Sequence, residues 1–304
     1  MKNNQTKNNF SKQFGDPIRL LIEKISSLVT AKPLLSLGII LVIICVRALL
    51  FVAKSPPALT SGETDSWWAI SLNLIHGDGY SLCLSKYFPF CSPQNQLTAM
   101  REPLPVLFFA LIAIVGNESL WAATLTELAI YLSIPILVFS LTKEWANTRA
   151  ALIAAFLWAL YLPALDLIPQ VSSDLSAALF VSVGILMTLR AKRSQRTRDW
   201  LSAAIFLGLA VMSRSATLVI VIVIIAGQCI EVFRKRIDRQ QFLMSTATIS
   251  VSVAFIMMPW LIRNQIAFGQ PVIGSSLVGY NLYRHNYIVS TDNYLRYVAG
   301  AEGY

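Results

Sequence analysis

Apolar runs recur along the chain, separated by short polar stretches that carry most of its charge. Leu34 to Ala53 is apolar with Arg47 as its single charge, and about 20 such residues cross the hydrocarbon core of a bilayer as a helix. Leu120 to Leu141 is a second full-length run, with Pro135 placed to kink it. Ala150 to Leu165 and Leu175 to Leu189 follow, and Phe242 to Ile262 is the last. Between them, Trp200 to Phe233 is interrupted by Ser213-Arg214-Ser215. That break predicts a hairpin of two short helices with Arg214 at its tip. Pro103 to Gly116 is apolar but short for an untilted span. The pattern predicts an all-α, polytopic integral membrane bundle over residues 34–262. A polar arm, 1–33, precedes it, and a polar, aromatic segment, 263–304, follows.

The longest interruption, Lys54 to Glu102, reads as a loop carrying an amphipathic helix. Pro56 and Pro57 break the first span. From Asp65 to His76, helical spacing places Trp67, Trp68, Ile70, Leu72, Leu74 and Ile75 on one broad arc. Asp65, Ser66, Asn73 and His76 fall on the other, and Gly77 and Gly79 end the helix. Paired tryptophans suit the membrane–water boundary. The helix is therefore expected in the interfacial plane, tryptophans toward lipid and polar side toward water or a cleft.

Composition supports a lipid environment. Of 304 residues 55% are hydrophobic and 13% charged, where soluble domains carry about 25% charged. The net charge of +9 is blocked rather than spread. Lys2, Lys7, Lys12, Arg19, Lys24 and Lys32 precede the first span, five basic residues lie within 190–198, and four within 234–239. Basic blocks between spans mark cytoplasmic loops, which argues against nucleic-acid binding and for a multi-pass bacterial inner-membrane protein with a cytoplasmic N-terminus. Residues 54–102 and 263–304 are then extracytoplasmic. The loop Lys143 to Arg149 is ambiguous: counting inward from the basic loops places it inside, and counting outward through Pro103–Gly116 places it outside.

Cys45 and Cys229 lie in apolar runs as packing residues. Cys83 and Cys91 share the first loop, where an extracytoplasmic disulfide is permitted, with two free thiols the other possibility. No spacing resembles a zinc site. No cofactor is required, and a divalent metal is possible but not indicated.

On this topology Glu63, Asp65, Arg101, Glu102, Asp166, Asp174, Arg214, Arg263 and Asn264 gather on the outer side. A carboxylate there can take a proton from an acceptor nucleophile. Arginines can hold a phosphate in bidentate fashion and stabilise it as it leaves. Plainer roles exist for each: a helix cap for Asp65, a membrane-edge anchor for Arg101, a snorkelling side chain for Arg47.

Several stretches resemble one family in order along the chain: TDSWWAISLNLIHGDGYS, REPLPVLFFALIAIVG, SSDLSAALF, MSRSATL and MPWLIRNQIAFGQPVIGSSLVGYNLYRHN. They resemble the GT-C superfamily of multi-spanning glycosyltransferases, in the branch of bacterial protein O-mannosyltransferases and aminoarabinose transferases (family 39). The resemblance implies a GT-C-like fold and inverting transfer of a sugar from a polyprenyl-phosphate donor to a glycan, lipid or protein acceptor. By the same resemblance Asp65 is the catalytic base, or orients the acceptor, and Arg101 lies near the donor phosphate. Glu102, Asp174, Arg214, Arg263 and Asn264 are the further substrate-binding candidates. Ser66 stands where many relatives carry a second acid, Asp174 where Glu is usual and Ser215 where Pro is usual. Relatives continue with further spans, so a chain ending at Tyr304 reads as a fragment or a truncated copy. A transporter or lipid flippase, or a non-catalytic relative, is the alternative; against the former, no internal repeat stands out and the acids cluster outside the bilayer midplane.

Overall fold

The computed structural model describes residues 32–57, 62–82 and 96–277, with Gly279 and Leu282 beyond; for residues 62–65 it describes the backbone. The N-terminal arm, Cys83, Cys91 and most of the C-terminal segment lie outside the described residues.

Nine α-helices account for most of what is described: α1 Pro33–Lys54, α2 Gly62–Ile75, α3 Pro103–Val115, α4 Leu120–Trp145, α5 Thr148–Leu160, α6 Asp174–Ser194, α7 Thr197–Ser213, α8 Leu218–Phe233 and α9 Arg239–Phe268. Five of the helical segments are long and apolar enough to cross a membrane: α1, α4, α6, the stretch Ser215–Phe233 that contains α8, and α9. The bundle is an integral multi-pass membrane protein. Large apolar side chains such as Leu34, Val42 and Leu50 on α1 and Val251 and Phe255 on α9 face outward, as lipid-facing positions do. A small antiparallel ribbon, β1 Ser81–Leu82 with β2 Gln96–Leu97, pairs Ser81 with Leu97 and Leu82 with Gln96.

Local sequence sets the boundaries. Pro33 and Pro103 start α1 and α3, where the missing N–H costs nothing. Asn147 and Asp238 cap α5 and α9 by accepting from the backbone N–H of Ala150 and Gln241. Gly269 ends α9 in the left-handed region. The break at 213–215 is a short 3-10 turn, Ser215–Thr217, so the expected hairpin forms with Arg214 at its tip.

Contacts between loops fix the ends of the bundle. Arg193 bonds both the carboxylate and the main-chain carbonyl of Glu144, so the 143–149 loop sits with the basic loops. The 26 residues of α4 run from Leu120 to this end, so Glu118 just before it lies at the opposite end, where Glu102 meets Ser215 at the hairpin tip. Both ends of α3 are therefore at the end opposite the basic loops. Its 13 residues extend only ~20 Å, against a hydrocarbon core of about 30 Å, and it turns back without crossing. This resolves the ambiguity left by the sequence.

Packing divides into an α1–α4–α5–α6 core around Ile44, Tyr131 and Leu175 and an α7–α8–α9 core around Leu207, Val221 and Val253. A Cβ on Gly208 would come within 2.6 Å of Ile256, so α7 and α9 approach closely because this position has no side chain. A third core corrects the reading of the loop helix. Trp67 and Trp68 are only 1% and 2% exposed, and Ile70 is fully buried. They pack with Tyr80, Val106, Phe109 and Trp260, so the apolar arc of α2 faces α3 and α9 rather than lipid. Ser66, expected on the polar side, is fully buried as well, so the buried face takes in Ser66 with the tryptophans and what it packs on is protein.

Candidate active site at the hairpin end

The expected site residues converge at the end opposite the basic loops, tied by a chain of polar contacts. Arg101, buried, donates from Nε to Ser66 Oγ at 2.8 Å and lies 5.1 Å over the Trp67 ring. This binds the start of α3 to the first turns of α2. Asp65 precedes Ser66 inside α2, which begins at Gly62, so it lies in the first turn and the plainer cap role is not its place. The side chains of Asp65 and Glu63 lie outside the described residues.

Glu102, adjacent to Arg101 and also buried, reaches the hairpin tip. Its Oε1 accepts from the Ser215 backbone N–H at 3.0 Å and from Ser215 Oγ at 2.8 Å. Arg214, next to Ser215 and exposed, pairs with Asp174. Asp174 opens α6, where a helix N-terminus favours a carboxylate. Arg101, Glu102, Asp174 and Arg214 thus form one connected group from three separate segments. Asp166 is exposed, on the largely buried connection between α5 and α6.

Arg263 and Asn264 are brought to the same end but are engaged by backbone. Arg263 donates to the carbonyls of Thr98 at 2.7 Å and Tyr80 at 3.0 Å, and to Asn264 Oδ1 at 2.9 Å. Its guanidinium also contacts the rings of Tyr80, Trp260 and Phe268. Asn264, fully buried, donates to the Val272 carbonyl. Together they clasp the loop after α2 to the end of α9. Tyr80 is the hinge of this clasp. Its hydroxyl donates to the carbonyls of Arg101 and Glu102 at 2.9 and 3.2 Å, and its ring meets Trp260 edge-on at 5.0 Å. Burial pushes the Tyr80 phenol well above its ordinary range and the Glu102 carboxylate adds to this, against the opposing Arg263 and Arg101. The segment after α9 closes over the tip: Trp260 Nε1 donates to the Gly274 carbonyl, and the Ser276 N–H to the Ala99 carbonyl.

Two further side chains find partners. Arg47 donates to the carbonyl of Ala159 in the last turn of α5, where carbonyls lack helical partners. His76 is engaged with exposed Glu118.

One residue escaped the sequence reading. Glu127 of α4 is fully buried, and among the described residues neither carboxyl oxygen has a hydrogen-bond partner. It faces the Ser172 main chain without completing a hydrogen bond, and it lies within electrostatic range of Asp174. Thr124 and Tyr131, one turn to either side, also carry buried hydroxyls without partners among the described residues. The one signal in the sequence was an acid inside an apolar run, which is costly. Among the described residues, no three His, Cys, Asp or Glu side chains group as a metal site, and no chemical step is assigned to a metal.

No curated protein matches the chain in a sequence comparison. Solved structures do. The apo oligosaccharyltransferase of Archaeoglobus fulgidus aligns with a TM-score of 0.56 and 19% identity over 73% of this chain and 29% of that one. The same organism's oligosaccharyltransferase AglB, in complex with an inhibitory peptide and a dolichol-phosphate, aligns with a TM-score of 0.56 and 17% identity, covering 84% and 34%. Its complex with Zn and sulfate gives 0.55 and 17%, covering 86% and 37%. The chain spans about a third of the length of these structures, and the likeness establishes a GT-C fold. In sequence, residues 101–262 match the family described as dolichyl-phosphate-mannose-protein mannosyltransferase. That match begins at Arg101 and runs past the hairpin to Ile262, more than half of the chain, so the protein belongs to this mannosyltransferase family.

Proposed function

We propose that the protein is a GT-C glycosyltransferase. It transfers a sugar from a polyprenyl-phosphate-linked donor to a glycan, lipid or protein acceptor at the extracytoplasmic face, with inversion and with Asp65 as base. The observation that carries this reading is the linked group Ser66–Arg101, Glu102–Ser215 and Arg214–Asp174, which gathers cations and carboxylates beside the first turn of α2. Family membership supports the reaction class. The dolichol-phosphate in the AglB complex supports a lipid-phosphate donor by analogy of fold.

In this reading the Asp65 carboxylate takes the proton of the acceptor nucleophile as that atom attacks the anomeric carbon. The bond from the anomeric carbon to the phosphate oxygen breaks, its electron pair leaving with the polyprenyl phosphate. Attack from the face opposite the leaving group inverts the centre. Arg214, exposed and held by Asp174, meets the donor phosphate as charge develops on it. Arg101, anchored by Ser66 and Trp67, supplies a second fixed positive charge. Glu102 positions the hairpin tip through Ser215. Arg263 and Asn264 position the first loop.

The test is release of free polyprenyl phosphate from a panel of polyprenyl-phosphate sugars by the purified protein in nanodiscs, with NMR of the product sugar. The reading requires donor consumption and an inverted anomeric centre. Uptake of a solute without donor consumption would favour a transporter.

A further inference from the structure

A second built feature lies at the opposite, basic end of the bundle, far along α6 from Asp174. There a cavity of ≈ 220 Å³ opens between the ends of α6, α7, α8 and α9. Lys192, Trp200, Gln228, Glu231, Arg236 and Ser245 line it. Gln228 and Trp200 are almost fully buried, and each holds a nitrogen, Nε2 and Nε1, without a hydrogen-bond partner among the described residues. Ser245 donates to Gln228 Oε1, which leaves the amide nitrogen as the unmet group. Buried donors without acceptors are costly, and both here belong to side chains that line the same cavity.

The charges lining this cavity complete an anion site. Glu231 is the acid, and Lys192 pairs with it at 2.8 Å. Arg236 adds an exposed guanidinium, leaving the lining positive. The unmet groups are donors and the surplus charge is cationic, so the ligand is an acceptor-rich anion. A phosphate ester fits both, since arginine and amide N–H groups recognise its oxygens.

The source of the phosphate is indicated by α8. Of its 16 residues only Val221 and Gln228 are buried, whereas Val219, Ile222, Val223, Ile230 and Phe233 stand exposed. The cavity therefore opens at the foot of a lipid-facing apolar helix, at the level where basic residues meet headgroups. We propose that this cavity binds the phosphate headgroup of an anionic lipid in the leaflet at the basic end, with the acyl chains lying along the exposed face of α8. The bound lipid supplies the packing that α8 lacks against the bundle and anchors the hairpin whose other end carries Arg214.

The test is native mass spectrometry of the delipidated full chain titrated with dioleoyl phosphatidylglycerol, dioleoyl phosphatidylcholine or inorganic phosphate. Phosphatidylglycerol is expected to bind tighter than phosphatidylcholine. Arg236→Gln should weaken it roughly fivefold, and Gln228→Leu should weaken it comparably. Arg198→Gln removes the same charge from an exposed residue outside the cavity and should leave binding unchanged. Equal affinity for the two lipids, or equal weakening by Arg198→Gln and Arg236→Gln, would overturn the site in favour of diffuse attraction. Displacement of the lipid by inorganic phosphate alone would overturn the lipid assignment and make the cavity a soluble-phosphate site. Arg236 is exposed, so its variant keeps the test decisive if Gln228→Leu fails to fold.

Discussion

Arg101 Nε sits 2.8 Å from Ser66 Oγ, joining the start of α3 to the residue that follows Asp65. A cation and the candidate base are thereby fixed in one unit, although 35 residues separate Arg101 from Ser66 in sequence. Arg101→Lys keeps the charge but loses the planar fork and its seat over Trp67. It should reduce sugar transfer by about 10²-fold, with a larger loss in kcat than in KM, measured as polyprenyl phosphate released. An unchanged kcat would remove Arg101 from the transfer step.

The clasp over the hairpin tip depends on a position without a side chain. Gly274 has φ +77°, and a Cβ there would fall 2.1 Å from the Cβ of Ser215. Gly274→Ala should therefore cost about 1–3 kcal/mol and loosen the Glu102–Ser215 contact. A lowered thermal unfolding midpoint in detergent checks it, with Gly269→Ala as comparison: that position is also left-handed, but its Cβ would meet nothing within 4 Å.

Much of this architecture was legible in the sequence because lipid imposes a simple rule: apolar length predicts a span. The hairpin at Arg214 was legible for the same reason, since a charge flanked by two serines interrupts an apolar run. The burial of Trp67 and Trp68 was not. A helical arc shows that one face avoids water, but lipid and protein both satisfy that face, and only the packing of α3 decides between them. The non-crossing of α3 was legible only in part: its length is short for a span, but its composition matches one, and only the return of α4 to Glu144 and the basic loops decides. The site was legible as a set of charges on one side, but not as pairs. Glu102 with Ser215, and Arg263 with backbone carbonyls, depend on contacts across more than 100 residues.

Tyr80 gives the clasp a pH dependence. Its folded pKa lies well above the unfolded value of about 10. The stability that comes from keeping the phenol neutral is complete below about pH 10 and is lost as pH rises through the folded pKa. Thermal unfolding followed from neutral to strongly alkaline pH should fall on the alkaline side. Tyr80→Phe should lose about 1 kcal/mol at neutral pH, from the hydroxyl bonds to Arg101 and Glu102, and show a shallower alkaline decline.

Glu127 offers a separation of stability from activity. A buried carboxyl with no hydrogen-bond partner among the described residues opposes folding, so Glu127→Leu should raise stability by about 1–3 kcal/mol. If Glu127 is retained for its proximity to Asp174, the same variant should lose transfer by roughly tenfold. Thermal unfolding and donor turnover measured on one preparation check both; higher stability with full turnover would leave Glu127 outside the site.

The most direct test of the central claim is donor turnover by Asp65→Asn. The variant keeps the size and helical position of the residue and removes only its basicity. With wild-type insertion and unfolding temperature verified, the account predicts that polyprenyl phosphate release falls by at least about 10²-fold. Release at the wild-type rate from a properly folded Asp65→Asn protein would contradict it.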